Sequence, residues 1–266
     1  MIISTSNAAK SAVITANPEP LIGNIGVISD GDYSSKFTAT LTGSITVNFK
    51  LNSPQLIEYI AIYGNVSTKD SLTINLKGER DLFDCNGQQL SDSNGHYLKC
   101  LDLKEVSSED LKKDECRVMV IKVDSITTDE IEVIIRGNGK LDITEIAFGK
   151  AYKVPHGEQA GYERPWATPS TKARSSNGLD SMPVNFYYCN RERSVTLTVP
   201  NNLMSDYEAE NGWRNMLKFT SRNTFYVLED ENMYHGYAGF VPRGMSTKAH
   251  SQTRLLCISQ FTFIFF

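Results

Sequence analysis

The first 150 residues are broken into short runs in which apolar and polar residues alternate. That period of two constrains the fold more than any other feature of the chain. In Ser44–Lys50 (SITVNFK), Ile45, Val47 and Phe49 fall on one face, the pattern of a strand buried on one side. Leu56–Tyr63 (LIEYIAIY) is denser in apolar, β-branched and aromatic residues and stops at Gly64-Asn65, which predicts a central strand covered on both faces. Ser71–Leu76 alternates again, with Leu72, Ile74 and Leu76 inward, and Arg117–Val123 (RVMVIKV) and Ile131–Ile135 add two more. Asp81–Gly95 is polar and reads as a loop, and Ser107–Glu115 (SSEDLKKDE) reads as a turn or two of helix capped by Ser107. Short strands with almost no helix predict a β-sandwich.

Residues 131–166 mark where this texture ends. Ile131–Arg136 and Leu141–Phe148 read as two strands joined by a tight turn at Gly137-Asn138-Gly139. The chain then passes through Gly149 into a Gly-, Pro- and Tyr-rich segment. Pro155 and Pro165 lack an N–H and bias the residue before them away from helix, so this segment is extended. The expected division is a domain over 1–150, a linker over 151–183 and a second domain over 184–266. Tyr162, Pro165 and Trp166 make the linker too aromatic for a plain tether, because large rings left in water favour burial. They dock onto the chain's own second domain or reach a neighbouring subunit.

The second half mixes strand and helix signals. Phe186–Cys189 and Arg193–Val199 (RSVTLTV) read as strands. A helix is predicted from Ser205 to about Thr220, with Ser205 and Glu208 as a capping box. Ala209, Trp213, Met216 and Leu217 form its apolar stripe. Gly212 inside it costs roughly 1 kcal/mol relative to Ala. Phe225–Leu228 and Met233–Val241 read as a hairpin around Glu229–Asn232, and Gln252–Phe266 as a long last strand. Its ending FTFIFF is an aggregation hazard as a free edge and needs a strand or a partner to pair with. Phe261, Phe263, Phe265 and Phe266 therefore join Tyr162, Pro165 and Trp166 as candidate interface residues. The fold class expected is mainly β: an N-terminal β-sandwich jelly roll, then a small α+β domain with one helix packed on an antiparallel sheet.

Composition narrows the functions. The chain has 266 residues, 40% hydrophobic and 22% charged, with a formal net charge of −4, which suits a folded protein and argues against nucleic acid as a partner. No apolar run reaches a membrane span, and the N-terminus lacks a secretory pattern, so synthesis in the cytosol is expected. Five cysteines, with no CxxC pair, read as free thiols. His96, His156, His235 and His250 show no metal-ligand spacing, and no Gly-x-Ser-x-Gly elbow or phosphate loop occurs. An enzyme is not expected. Asp30 and Asp32 are oxygen ligands of the kind a structural calcium takes, but Asp-Gly is also a strong turn signal, and the turn is the preferred reading. No other cofactor is expected. Tyr33, Tyr97 and Tyr63 are candidate sugar platforms, since a flat ring stacks on a sugar face. They read equally as core or contact residues.

Two stretches carry resemblances. Asp30, Gly31, Asp32 and Phe37, then Val47–Phe49, Ile60–Gly64 and Ile143–Ile146, are similar in order and type to the galactose-binding, discoidin-like jelly roll, with Asn48 where that family usually has Asp. The resemblance spans residues 14–150 and implies binding of glycans, lipids or proteins, or a purely structural role. Lys150–Trp166 and the strand–helix–hairpin–strand order after it resemble tail or baseplate proteins of tailed bacteriophages. The function this implies is non-enzymatic assembly in a virion tail, with copies of itself in a ring and other tail proteins as partners. The alternative is a carbohydrate-binding module that recognises a host-surface glycan.

Overall fold

The computed structural model of the chain describes residues 1–18, 24–32, 35–81, 84, 88–95, 99–106, 118–153, 173–174, 180–181, 191–200, 207–228, 234, 236–240, 246–249 and 256–265. The strands in chain order are β1 (Ile2–Ser4), β2 (Val13–Asn17), β3 (Phe37–Gly64), β4 (Ser71–Asp81), β5 (Lys99–Val106), β6 (Val118–Gly149), β7 (Ala151–Lys153), β8 (Ala173–Arg174), β9 (Asp180–Ser181), β10 (Arg191–Pro200), β11 (Phe225–Leu228), β12 (Gly236–Phe240), β13 (Ser246–Ala249) and β14 (Leu256–Phe265). The α-helix among them is α1 (Tyr207–Thr220). The chain is mainly β and forms two compact units. One consists of Ser4–Ala151 with Asp230–Gly236, the other of Met1–Ile3, Tyr152–Glu229 and Tyr237–Phe266.

The first unit is a two-layered sandwich. One layer orders its strands β2, residues 45–50 of β3, residues 131–136 of β6, β4 and β5. The other sets residues 59–63 of β3 between residues 118–122 and 145–149 of β6. Partner numbers fall as chain numbers rise, from Ile45 opposite Ile135 to Lys50 opposite Glu130, so the pairing is antiparallel. The predicted inward residues Ile45, Val47, Phe49, Leu72, Ile74 and Leu76 are all buried, and Ile57, Tyr59, Ile60, Ala61 and Ile62 are buried in succession as expected for a central strand. Phe49 of the larger layer meets Phe148 of the smaller one edge to face, with ring centroids 5.2 Å apart. The outer face of the larger layer is polar: Lys50 pairs with Asp129 at 2.9 Å and Lys77 with Glu130 at 2.7 Å.

The Gly137-Asn138-Gly139 turn corrects the sequence reading. Residues 131–136 and 141–148 do not pair with each other. Both run along β3, whose residues 37–43 pair with 143–137. The two strands bend together from one layer into the other, and Gly43 stands opposite Gly137 at the bend, with φ of +122° and +153°. Only glycine takes such backbone cheaply, and a Cβ on Gly137 would also lie 3.2 Å from the Asp70 nitrogen. The glycines mark a corner rather than a hairpin tip.

In the second unit the sheet order is β10, β14, β12, β11, β1, β7, with β13 also on β14. α1 carries the predicted helix, with Met216 fully buried. Gly212 has a packing reason, since a Cβ there would lie 3.3 Å from the Tyr152 ring of β7. The fold class is thus a jelly-roll sandwich followed by one helix on an antiparallel sheet. β14 is not an edge: β10 pairs with it from Leu256 to Phe265, while β13 covers residues 257–260 and β12 residues 264–265 of its other side. Residues 261–265 pair with β10, one of the two ways in which the FTFIFF ending was expected to be satisfied. β1, in a sheet with β11 through Ile2 opposite Leu228 and Ile3 opposite Val227, was not legible in the sequence. The predicted helix at 107–115 and the strand at 186–189 lie outside the described residues.

Because the Phe49–Phe148 contact joins the layers, Phe49→Ala and Phe148→Ala are each expected to lower unfolding stability by about 3–5 kcal/mol. A double-mutant cycle by urea denaturation should give a coupling of about 0.5–1.5 kcal/mol. Losses that add to within about 0.3 kcal/mol would show the rings to be independent.

Candidate functional site

At one end of the sandwich three chain segments meet: residues 30–32 with 35–36, residues 65–70, and the β6 corner at 137–142. Asn65 sews two of them together. Its Oδ1 accepts from the Asp142 N–H at 2.8 Å, its Nδ2 donates to the Lys140 carbonyl at 3.1 Å, and its own N–H donates to the Asp142 carbonyl at 3.0 Å. Lys69 follows a single 3-10 turn at Val66–Thr68 and is only 5% exposed. Its ammonium donates to the Lys140 carbonyl at 2.5 Å and to that of Asn138 at 3.4 Å. A buried ammonium needs such acceptors, and these fix the corner from beneath. A Cβ on Gly64 would run into the Asp142 carbonyl, so glycine permits this close approach.

On the corner's surface, Asp142 gathers three groups. Thr38, opposite it in register, donates its hydroxyl to Oδ1 at 2.6 Å. Lys140 and Lys36 place their ammonium groups 3.0 and 3.5 Å from Oδ2. Partial burial opposes ionisation of this carboxyl, but the Thr38 and Lys140 hydrogen bonds and the two lysine charges outweigh it and hold the pKa below the usual carboxylate range.

Asp30, Asp32 and Ser35 are tied together by turn hydrogen bonds. Asp30 accepts from the Asp32 N–H at 2.7 Å through Oδ1 and from the Ser35 hydroxyl at 3.2 Å through Oδ2. Gly31, at φ +78°, donates its N–H to Glu145 Oε2 at 3.2 Å, while Asn7 donates to Oε1 at 3.3 Å. A Cβ on Gly31 would lie 2.7 Å from the Lys10 ammonium. Glu145 is fully buried. Burial pushes its carboxyl up to about 7, against the opposing pull of Lys10, the Gly31 N–H and the Asn7 amide.

The structure brings Asp30 and Asp32 together in the turn, where both Asp30 oxygens are engaged by turn donors, the geometry of the Asp-Gly signal. Among the described residues no group of three or more His, Cys, Asp or Glu side chains could hold a metal ion. Tyr63 is half-buried on β3, opposite Glu145. Phe261, Phe263 and Phe265 lie on β14, opposite Val195, Arg193 and Arg191. Tyr33, Tyr97, Tyr162, Pro165, Trp166 and Phe266 lie outside the described residues. Sequence reasoning missed Asn65, Lys69, Thr38, Lys36, Lys140 and Asp142 as a group. Glu145 did leave a signal, since it stands next in the alternating slot that Leu141 and Ile143 fill with apolar side chains.

No protein-family model matches the chain, and no curated protein matches it. Solved structures do align with it. Chitosan-binding module 1 from a chitosanase/glucanase of Paenibacillus sp. IK-5 is 13% identical, with 55% of this chain and 99% of that one covered and a TM-score of 0.38. The family 32 carbohydrate-binding module of Streptococcus pneumoniae EndoD is 14% identical, with 55% and 100% covered, at 0.38. The Streptococcus pneumoniae fucose-binding module SpX-3 is 16% identical, with 56% and 99% covered, at 0.37. Nothing among these findings points to a virion tail.

The Glu145 environment makes stability depend on pH. Its folded pKa of about 7 lies above the ordinary 4.5, so the folded chain holds the proton more tightly than the unfolded one. The stabilisation is full below about pH 4.5 and is lost as pH rises to about 7, on the order of 3 kcal/mol. Glu145→Gln cannot ionise and should flatten that slope. Parallel stability profiles for wild type and variant, from denaturant titrations across this range, would refute the assignment.

Proposed function

We propose that the sandwich is a non-catalytic carbohydrate-binding module whose site is the rim formed by residues 30–32, 35–36, 65–70 and 137–142. The observation that carries this reading is a solvent-facing set of ammonium, hydroxyl and carboxylate groups on Lys36, Thr38, Lys140 and Asp142. That set is held in place from beneath by Asn65 and the buried Lys69. Sugars are recognised by such convergent donors and acceptors, and a surface fixed before binding loses little freedom when the ligand arrives. The resemblance of the 30–37 loop and of Ile143–Ile146 to the galactose-binding jelly roll supports the same reading.

Saturated acids support the non-catalytic part. Asp30, Asp142 and Glu145 each accept two or more hydrogen bonds or ion pairs. A general acid or base instead needs reach to a substrate proton. Assembly in a virion tail has no comparable observation in its favour; residues 154–166, most of the stretch whose resemblance implied it, lie outside the described residues.

The test is a broad glycan array probed with the purified chain, expected to return reproducible binding to one sugar class. Asn65→Ala removes two of the hydrogen bonds that position residues 140–142 and should weaken that binding at least about tenfold, or about 1.4 kcal/mol. A blank array with a folded protein, or undiminished binding by the folded variant, would overturn the rim as a glycan site.

A further inference from the structure

We infer that the ligand of this rim is a carboxylate-bearing glycan, a polymer or oligomer of uronic acid, bound at the corner by Lys36 and Lys140; the inference rests on the carbohydrate-binding reading. The argument is a local mismatch of charge. Two ammonium groups converge on one carboxylate oxygen, Oδ2 of Asp142, and the other oxygen is taken by Thr38. Asp142 can neutralise one lysine, not two. Lys69 adds a third positive charge beneath the corner, and its ammonium is held by the carbonyls of Lys140 and Asn138. The acids of this corner are Asp142 and the exposed Asp70, and with Asp30 and Asp32 the rim carries no overall excess of positive charge; the local excess is that of Lys36 and Lys140 over the single carboxylate between them. The adjoining turn brings Asp30 and Asp32, with Lys10 and the buried Glu145 behind them. Both oxygens of Asp30 face turn donors.

The geometry distinguishes an anionic from a neutral sugar. The Lys36 and Lys140 side chains are 55% and 60% exposed, and each ammonium has three N–H donors, so both keep donors free while bound to Asp142. A ligand carboxylate could bridge the two without displacing Asp142, forming charge-assisted hydrogen bonds that a neutral hydroxyl cannot match. Asp142 then sets the spacing of the lysines, and Thr38 fixes Asp142. Binding through exposed charges is screened by salt, so affinity should fall as ionic strength rises.

Titration calorimetry of the full chain separates the outcomes. The probes are an oligogalacturonate, the same oligomer fully methyl-esterified, and a neutral galactan oligomer. The expected result is binding of the free acid, weakened at least tenfold by esterification and again by raising salt from about 20 to about 500 mM, which shortens the Debye length from about 20 Å to about 4 Å. Lys36→Ala with Lys140→Ala should lower affinity at least tenfold; both side chains are exposed, and an unchanged melting temperature will confirm the fold. Equal binding of the acid and its ester, or an unaffected double variant, overturns the uronate assignment. Binding of the neutral oligomer alone overturns it too and leaves carbohydrate binding standing. No binding of any of the three, with a blank glycan array, overturns both readings.

Discussion

The sandwich depends on one antiparallel pairing, that of β3 with β6, carried from one layer into the other without a break. Both strands bend together where Gly43 faces Gly137. Hydrogen bonding therefore continues through the bend, and residues 37–38 stay in register with 142–143. That register puts Thr38 opposite Asp142 and brings the lysine at 36 within reach of the same carboxylate. The site is a consequence of how the corner is made.

Two buried polar groups complete the arrangement, and both would be costly without their partners. The ammonium of Lys69 is covered by protein and bonded to backbone carbonyls. The carboxyl of Glu145 is covered as well and receives the Gly31 N–H and the Asn7 amide. Each ties segments that are far apart in the chain, Asn7 being 138 residues from Glu145. Removing one partner would leave a desolvated group unpaired, a loss larger than that of an ordinary hydrogen bond. Such pairs fix loop position more than they add stability, as a preorganised binding surface requires.

Much of the fold was legible. Alternation identified the inward faces of Ser44–Lys50 and Ser71–Leu76, and the dense run at Leu56–Tyr63 identified the central strand, because burial on one or both faces leaves different patterns. The helix was legible through its capping and stripe, and it occupies Tyr207–Thr220. The Gly-Asn-Gly step was read as a hairpin because glycine at positive φ serves turns and corners alike. The last strand was read as needing a strand or a partner, but a sequence does not say which strands flank it, and β10 does so along Leu256–Phe265. The site was legible only at Asp30-Gly31-Asp32, where the chemistry is local and the turn closes on itself.

By itself the sequence determined the class of fold and the Asp-Gly turn, since each follows from interactions between residues a few positions apart. Tertiary structure alone decided the functional rim. Lys36, Asn65, Lys69 and Asp142 meet only because β3 and β6 stay paired around a corner, and no local pattern reports contacts between residues 69 to 106 positions apart. It also decided the character of Glu145. An acid in an apolar slot can be read from the alternation, but its raised pKa comes from burial beneath a loop and an N-terminal segment that the strand's own residues do not specify.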